Sequence, residues 1–499
     1  MSGSRILFCA LTVLISGCGV FETPHRFNPY DPKGESNYYF PYLTNGVALR
    51  NHVFLSPVSP GNPFVYRGQK ISLALPAVWE GRTLSKFRFN IDADESWETN
   101  WSANRFFSHS FSTGGNHRIF GEAIYQNAFV YRFTNQSLRV VGGGSGNLSF
   151  SQDLSPGVSA PSLALGDIDG DGDPDLVMTG FDGSSRNLRT YLNNGSGSFT
   201  LAQVLTPNLG SSSIALGDLD GDGDLDLVVT GDNGSTKFFL SLFNDGSGAF
   251  SQVQSFTPGL TSSGIALGDL DGDGDLDLVV TGDDGTAKQS KVFKNNGSGI
   301  FSLFQTLSPG VFTSSIALGD LDGDNDLDLV LTGDDGGANH FKIFTNNGSG
   351  SFTLLQSLAT GLNTSSIALG DLDKDGDLDL VVTGYDGAAS HFESYKNNGS
   401  GTFTLSQTIT SGVSISSVVL GDLDNDGDLD IAMTGSQPPP QFSTYRNNGS
   451  GVFTLGQNLS PTVNGSCLVL GDLDGDTDLD LVMTGINGGT RYFKIYLNQ

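Results

Sequence analysis

Asp218, Asp220, Asp222, Asp224 and Asp226 fall within nine residues of the stretch ALGDLDGDGDLDLVVTG (215–231). Five carboxylates this close repel one another unless a cation sits among them. Carboxylate oxygens at alternate positions suit calcium, a hard ion that takes six to eight oxygen ligands. Positions one, three and five of such a loop turn side-chain oxygens inward. Gly223 at position six allows the bend, where a Cβ would be strained. Asp224 at position seven offers its backbone carbonyl, and Asp226 at position nine closes the shell. An EF-hand would need a glutamate at position twelve and helical flanks. Here position twelve is Val229 and the flanks IAL and LVV are strand-like. The expected unit is therefore strand, calcium loop, strand.

A turn rich in Asp and Gly that binds nothing would use the same residue types. Recurrence argues against that reading. The run returns as Asp167, Asp169, Asp171, Asp173, Asp175; as Asp269, Asp271, Asp273, Asp275, Asp277; and as Asp320, Asp322, Asp324, Asp326, Asp328. It returns again as Asp371, Asp373, Asp375, Asp377, Asp379; as Asp422, Asp424, Asp426, Asp428, Asp430; and as Asp472, Asp474, Asp476, Asp478, Asp480. Seven runs of five account for 35 of the 54 acidic residues. Up to seven Ca²⁺ ions are expected. Asn325 replaces glycine at position six of the fourth loop, and Thr477 does so in the seventh. Thr is β-branched and poor there, so the seventh site is expected to be the weakest.

The runs recur every 51 residues, and once after 50, so the elements that position them form a repeat. Periods near fifty point to propellers or solenoids. One unit holds four strand candidates: SSIALGD (212–218), DLVVTG (226–231), KFFLSLFN (237–244) and AFSQVQSF (249–256). Four antiparallel strands make one propeller blade. Before the first loop, GSGNLSFSQDL (144–154) matches the fourth strand of other units; after the last, RYFKIYLNQ (491–499) matches a third. The N-terminal strand is expected to complete the last blade and tie the ring shut. The prediction is an all-β chain with a seven-bladed β-propeller over 142–499.

Residues 142–499 resemble the FG-GAP/VCBS repeat family, which includes the integrin α-subunit propellers. The resemblance rests on the D-h-D-x-D-G-x-h-D loops, clearest in the second, third, fifth and sixth copies. It implies that the loop joins the first and second strands at one rim, with ligands approaching the opposite face. The strict Phe-Gly and Gly-Ala-Pro motifs are missing, so integrin partners do not carry over. The turn after the second strand varies most between copies, and Phe181, His340 and Tyr385 stand in or beside it. Variation on a repeating frame is where partner choice could reside; ordinary turn residues are the plainer reading. The Asn-Asn-Gly-Ser sequences are formally glycosylation sequons, but their place between strands reads as a hairpin turn. Cys467 reads as a quiet thiol.

The chain has 499 residues, 68 of them glycine, and a net charge of −29. That charge argues against a nucleic-acid partner. Three cysteines provide no disulfide framework. Residues 1–17 read as an export signal, with Arg5 before the apolar core ILFCALTVLI. Ile15-Ser16-Gly17-Cys18 resembles the lipobox of bacterial lipoproteins, which implies lipidation at Cys18 and a membrane anchor. Gly19 in place of aspartate implies the outer membrane or cell surface. Residues 18–45, with Pro24, Pro29, Pro32 and Pro41, read as a tether.

Residues 46–141 hold short alternating strand candidates and read as a small β-sandwich. KFRFNIDADESWE followed by SHSFSTGGNHRIFGEAIY resembles the PKD type of immunoglobulin-like module, with Phe89, Asp92, His109, Phe111 and Gly115 in comparable places. No Ser-His-Asp order, zinc spacing or phosphate loop is found, and His109 and His117 lack metal-site spacing. Two functions are therefore expected in competition. One is a calcium-stiffened, lipid-anchored scaffold that binds an unknown protein or glycan. The other is a polysaccharide-active enzyme on the same frame, which would gather Arg, Lys, His, Tyr or Glu in its central pocket.

Overall fold

The computed structural model describes backbone strands within 65–141, and residues 146–498 apart from 437–439. The export segment, Cys18 and the tether lie outside the described residues. The chain divides into two units, Met1–Gly143 and Gly144–Gln499.

The described backbone of the first unit is all strand. Arg82–Ile91 pairs antiparallel with Ile119–Tyr125, which pairs with Phe129–Thr134. Lys70–Ala74 pairs with Phe106–Ser110, and Leu138–Val141 lies between Val65–Tyr66 and Gly115–His117.

In the second unit each of the first six repeats folds into four sequential antiparallel strands, and the last into three. In the second copy these are Gly210–Gly217, Asp226–Asp232, Lys237–Asn244 and Phe250–Leu260. The second strand is an unbroken apolar run because both its faces are covered: Asp226 to Gly231 are all buried. An alternating strand would suit a sheet with one wet face; this one is sandwiched between neighbouring sheets. The fourth strand is instead exposed along most of its length after a buried first residue, as in Phe199–Val204, and forms the outer edge facing water. Between copies the chain often runs straight from a fourth strand into the next first strand, as in Ser302–Gly319, Thr353–Gly370 and Thr404–Gly421.

The apolar cores lie between sheets rather than within them. Ile168, Val177 and Leu188 of the first copy pack with Leu227, Val229 and Leu240 of the second. The same sharing continues from copy to copy. It ends with Leu473, Val482, Phe493 and Ile495 of the last copy packed on Leu163, Met178 and Tyr191 of the first. Each buried Leu or Val side chain contributes about 1.5–3 kcal/mol, and no sheet could bury its faces alone. Leu148–Asp153 pairs antiparallel with Thr490–Asn498, in the register Leu148↔Asn498 and Phe150↔Tyr496. The described sheets thus form a β-propeller whose first and last strands share one four-stranded sheet.

Two side-chain latches run around the ring. Each Gln of the fourth strand makes a two-way amide bond with the next sheet's fourth strand. Gln203 Nε2 donates to the Phe250 carbonyl (3.4 Å) and its Oε1 accepts from Phe250 N–H (3.0 Å). Gln457 does the same with Leu148 where the ring closes, at 3.0 Å each way. Thr of each second strand meets Ser of the next first strand, as Thr179 with Ser212 (2.6 Å) and Thr332 with Ser365 (2.6 Å). At the junction of last and first copies, Pro161 stands at the serine position, and the buried Thr484 Oγ1 has no hydrogen-bond partner.

Candidate metal centre

Each aspartate loop connects the first and second strands of its copy, and the five carboxylates are not equivalent. The carboxylate at position one folds the loop by accepting its own amides. Asp167 Oδ1 takes Gly170 N–H (2.8 Å) and Oδ2 takes Gly172 N–H (2.9 Å). Position five accepts from position seven, as Asp222 Oδ1 from Asp224 N–H (3.0 Å). Position six must be left-handed: Gly223 has φ 97°, with open space where a Cβ would stand. Asn325 (φ 70°) and Thr477 (φ 84°) adopt the same conformation at the strain expected of them.

At position seven the side chain, as well as the backbone, is constrained. Asp173 lies under the third-to-fourth strand turn, where a Cβ on Gly195 (φ +72°) would come 2.4 Å from Asp173 Oδ2. The Asn-Asn-Gly-Ser segments are indeed tight turns: Asn194 Oδ1 accepts from Ser196 N–H (3.1 Å).

Position nine is buried in every copy. Asp226 Oδ2 accepts Leu219 N–H (3.0 Å) and Oδ1 accepts Asn244 N–H (2.9 Å). The other six repeat this pair of bonds, so the residue staples the loop's start to the end of the third strand. Burial pushes Asp175, Asp226, Asp277, Asp328 and Asp379 up to about 6, and Asp430 and Asp480 up to about 7. Sequence reasoning gave position nine only a ligand role and missed the staple.

The Asn that follows the third strand was read as a turn residue; it is also an inter-sheet latch. Asn244 Nδ2 donates to the Ile168 carbonyl of the preceding copy's loop (2.7 Å). Asn193 makes the equivalent bond to Leu473 (2.9 Å), joining first copy to last. Loop and ring are therefore one hydrogen-bonded system. The signal was available in the sequence as an Asn eighteen residues after each position nine, seventeen in the sixth copy.

Carboxylate oxygens converge within 4.8 Å in groups that include Asp167, Asp169 and Asp175; Asp218, Asp220 and Asp222; and Asp320, Asp322 and Asp328. Position three is where the arrangement is incomplete. The Oδ1 atoms of Asp271, Asp322, Asp373 and Asp424 are buried without a hydrogen-bond partner. A buried, unpaired carboxylate oxygen is costly. Burial and the negative charge of the position-five neighbour push Asp169, Asp220, Asp322 and Asp474 upward. An all-oxygen donor set with orphaned, converging atoms fits a hard divalent cation, with positions one, three and five as its holders.

The variable turns are occupied locally. Phe181 lies under the guanidinium groups of Arg186 and Arg491, 5.9 and 5.5 Å from its ring centre. His340 Nε2 is 2.8 Å from Asp335 Oδ2, and Tyr385 Oη donates to the Gly387 carbonyl (2.8 Å). Burial pushes the Cys467 thiol up to about 11, which keeps it protonated and quiet.

Comparison with known proteins bears on the repeats. The FG-GAP-like repeat model matches residues 167–229, 218–280, 269–331, 320–382 and 381–433. No curated protein matches the sequence. Among solved structures, a quinonprotein alcohol dehydrogenase-like protein from Bacteroides thetaiotaomicron VPI-5482 is similar at 11% identity, over 87% of this chain and 95% of that one, with a TM-score of 0.37. AofleA from Arthrobotrys oligospora is similar at 12% identity, over 61% of this chain and 88% of that one, with a TM-score of 0.39. A DUF4784 family protein from Bacteroides caccae is similar at 12% identity, over 80% and 94% of the two chains, with a TM-score of 0.31. The matched segments together span residues 167 to 433, more than half of the 499, and carry the aspartate loops just described. The chain belongs to the FG-GAP-like repeat family.

Proposed function

We propose that this chain is a calcium-binding propeller scaffold, held at the cell surface by a lipid on Cys18, that binds a protein or glycan partner. The observation that carries the reading is the buried, unpaired position-three oxygen inside each of four carboxylate loops. When bound, calcium supplies positive charge that lets the carboxylates converge; the protein's own part is to hold their oxygens in place and lock neighbouring sheets together. Such a ring stiffens a display surface rather than performing a reaction. The competing enzyme reading draws no support from a pocket of about 460 Å³ between first strands. Its lining is Leu165, Ile367, Ala368, Leu369, Val418, Val419, Leu420, Val469 and Leu470, with no acid, base or nucleophile.

An array of glycans and matrix proteins, probed with the purified chain in calcium and in EDTA, tests the proposal. Retention of one ligand class in calcium only is the expected outcome. Turnover of a polysaccharide, or binding indifferent to calcium, would contradict it.

A further inference from the structure

Among the described residues, three of the loops pair their position-three carboxylate with a cation. Lys294 Nζ sits 2.6 Å from Asp271 Oδ2 at position three of the third loop, with Phe304 beneath it, 4.3 Å away. Lys396 Nζ sits 2.5 Å from Asp373 Oδ2 in the fifth, and Arg446 Nη1 pairs with Asp424 Oδ2 in the sixth. Each basic residue occupies the same place, immediately before the latch Asn at the end of the third strand. In the first, second, fourth and seventh copies that place holds Leu192, Phe243, Thr345 and Leu497. None of those four side chains can pair with a carboxylate as a cation does.

The sixth loop receives a second cation from its neighbour. Lys374 stands at position four of the fifth loop, where five of the other six loops have glycine, and keeps a left-handed backbone (φ 64°). Its ammonium pairs with Asp428, position seven of the sixth loop. In the sixth loop itself, Asn425 takes the same place and donates to Asp478 of the seventh (2.8 Å), a neutral version of the same reach.

Resting on the calcium reading above, we infer that these basic residues divide the loops into two classes. Among the described residues, the first, second and fourth loops face no such cation and bind the ion tightly; the third, fifth and sixth are guarded and bind it weakly. A divalent ion entering a guarded loop meets a fixed positive charge a few ångströms away, and the position-three carboxylate already has one oxygen committed. Repulsion at that distance through a partly wet medium weakens binding by about tenfold to a hundredfold, more at low salt than at high. The sixth loop, facing Arg446 and Lys374, is the weakest of these six. Low calcium therefore fills the first, second and fourth loops, and higher calcium fills the guarded ones.

Calcium titration of the full chain by isothermal calorimetry tests this. The expected isotherm resolves a tight class from three sites that are about tenfold to a hundredfold weaker. In the triple variant Lys294→Met, Lys396→Met, Arg446→Met, the weak class should merge with the tight one. Thr345→Lys, which places an ammonium over Asp322, should move one site from tight to weak and provides the check should the triple variant fold poorly. A single class of seven in the unaltered chain, or a Thr345→Lys isotherm identical to it, would overturn the two-class inference while leaving calcium binding intact. No heat of binding at all would overturn both.

Discussion

Lowering the pH from 8 to 5 should raise the melting temperature of the calcium-depleted chain and lower that of the calcium-loaded chain. The sign comes from the position-nine carboxylates. Burial lifts Asp175, Asp226, Asp277, Asp328 and Asp379 to about 6, and Asp430 and Asp480 to about 7. In the unfolded chain they would titrate near 3.9. Between those values the folded state holds more protons than the unfolded one, so stability falls as pH rises through 6 to 7 and is regained below. His391 adds to the same trend: hydrogen bonds to Glu393 and Asp386 outweigh burial and raise it. The turn carboxylates Asp335 and Asp386, held down to about 2, respond only below pH ~4. Calcium reverses the slope because its ligands must be deprotonated, so acid competes with the ion. Melting curves at pH 8, 6.5 and 5, each with calcium and with EDTA, should cross. Parallel slopes in the two conditions would contradict the account.

Asp226→Ala and Asp222→Ala separate staple from ligand. Asp226 is buried and accepts two backbone N–H groups, from Leu219 and Asn244. Removing it strands both donors in the interior and should cost about 3–5 kcal/mol, with calcium or without. Asp222 is exposed and accepts one amide of its own loop. Its loss should change the EDTA melt by no more than about 0.5 kcal/mol, yet remove one of the calcium sites. Denaturant titrations of both variants in both conditions check this. Equal losses for the two variants in EDTA would remove the distinction.

Much of this was legible in the residues because a repeat averages away local ambiguity. One copy of DLVVTG cannot be told from a buried helical segment, but seven copies at one period, bounded by aspartate loops and Asn-Gly turns, read as strands. The pairing of Leu148–Asp153 with Thr490–Asn498 was visible as two partial units at opposite ends. What escaped depends on three-dimensional neighbours. Gln203 and Asn244 look like ordinary surface and turn polar residues until the adjacent sheet places a carbonyl before each. Lys294, Lys396 and Arg446 sit 22 or 23 residues from the carboxylates they meet, in three copies out of seven, so no period announces them. Position nine was recognised for its charge, and its burial follows only from the covered second strand.

The central claim is that divalent ions complete these loops and so hold the ring together. Its most direct test is the thermal melt of the chain after exhaustive chelation and again after calcium is returned. An ion held at a thousand times its dissociation constant adds about 4 kcal/mol per site. Three tight sites alone should therefore lower the melt by more than about ten degrees on chelation, with full recovery when calcium is restored. A melting temperature unmoved by chelation would mean that the carboxylates settle their repulsion without an ion, and the account would fail.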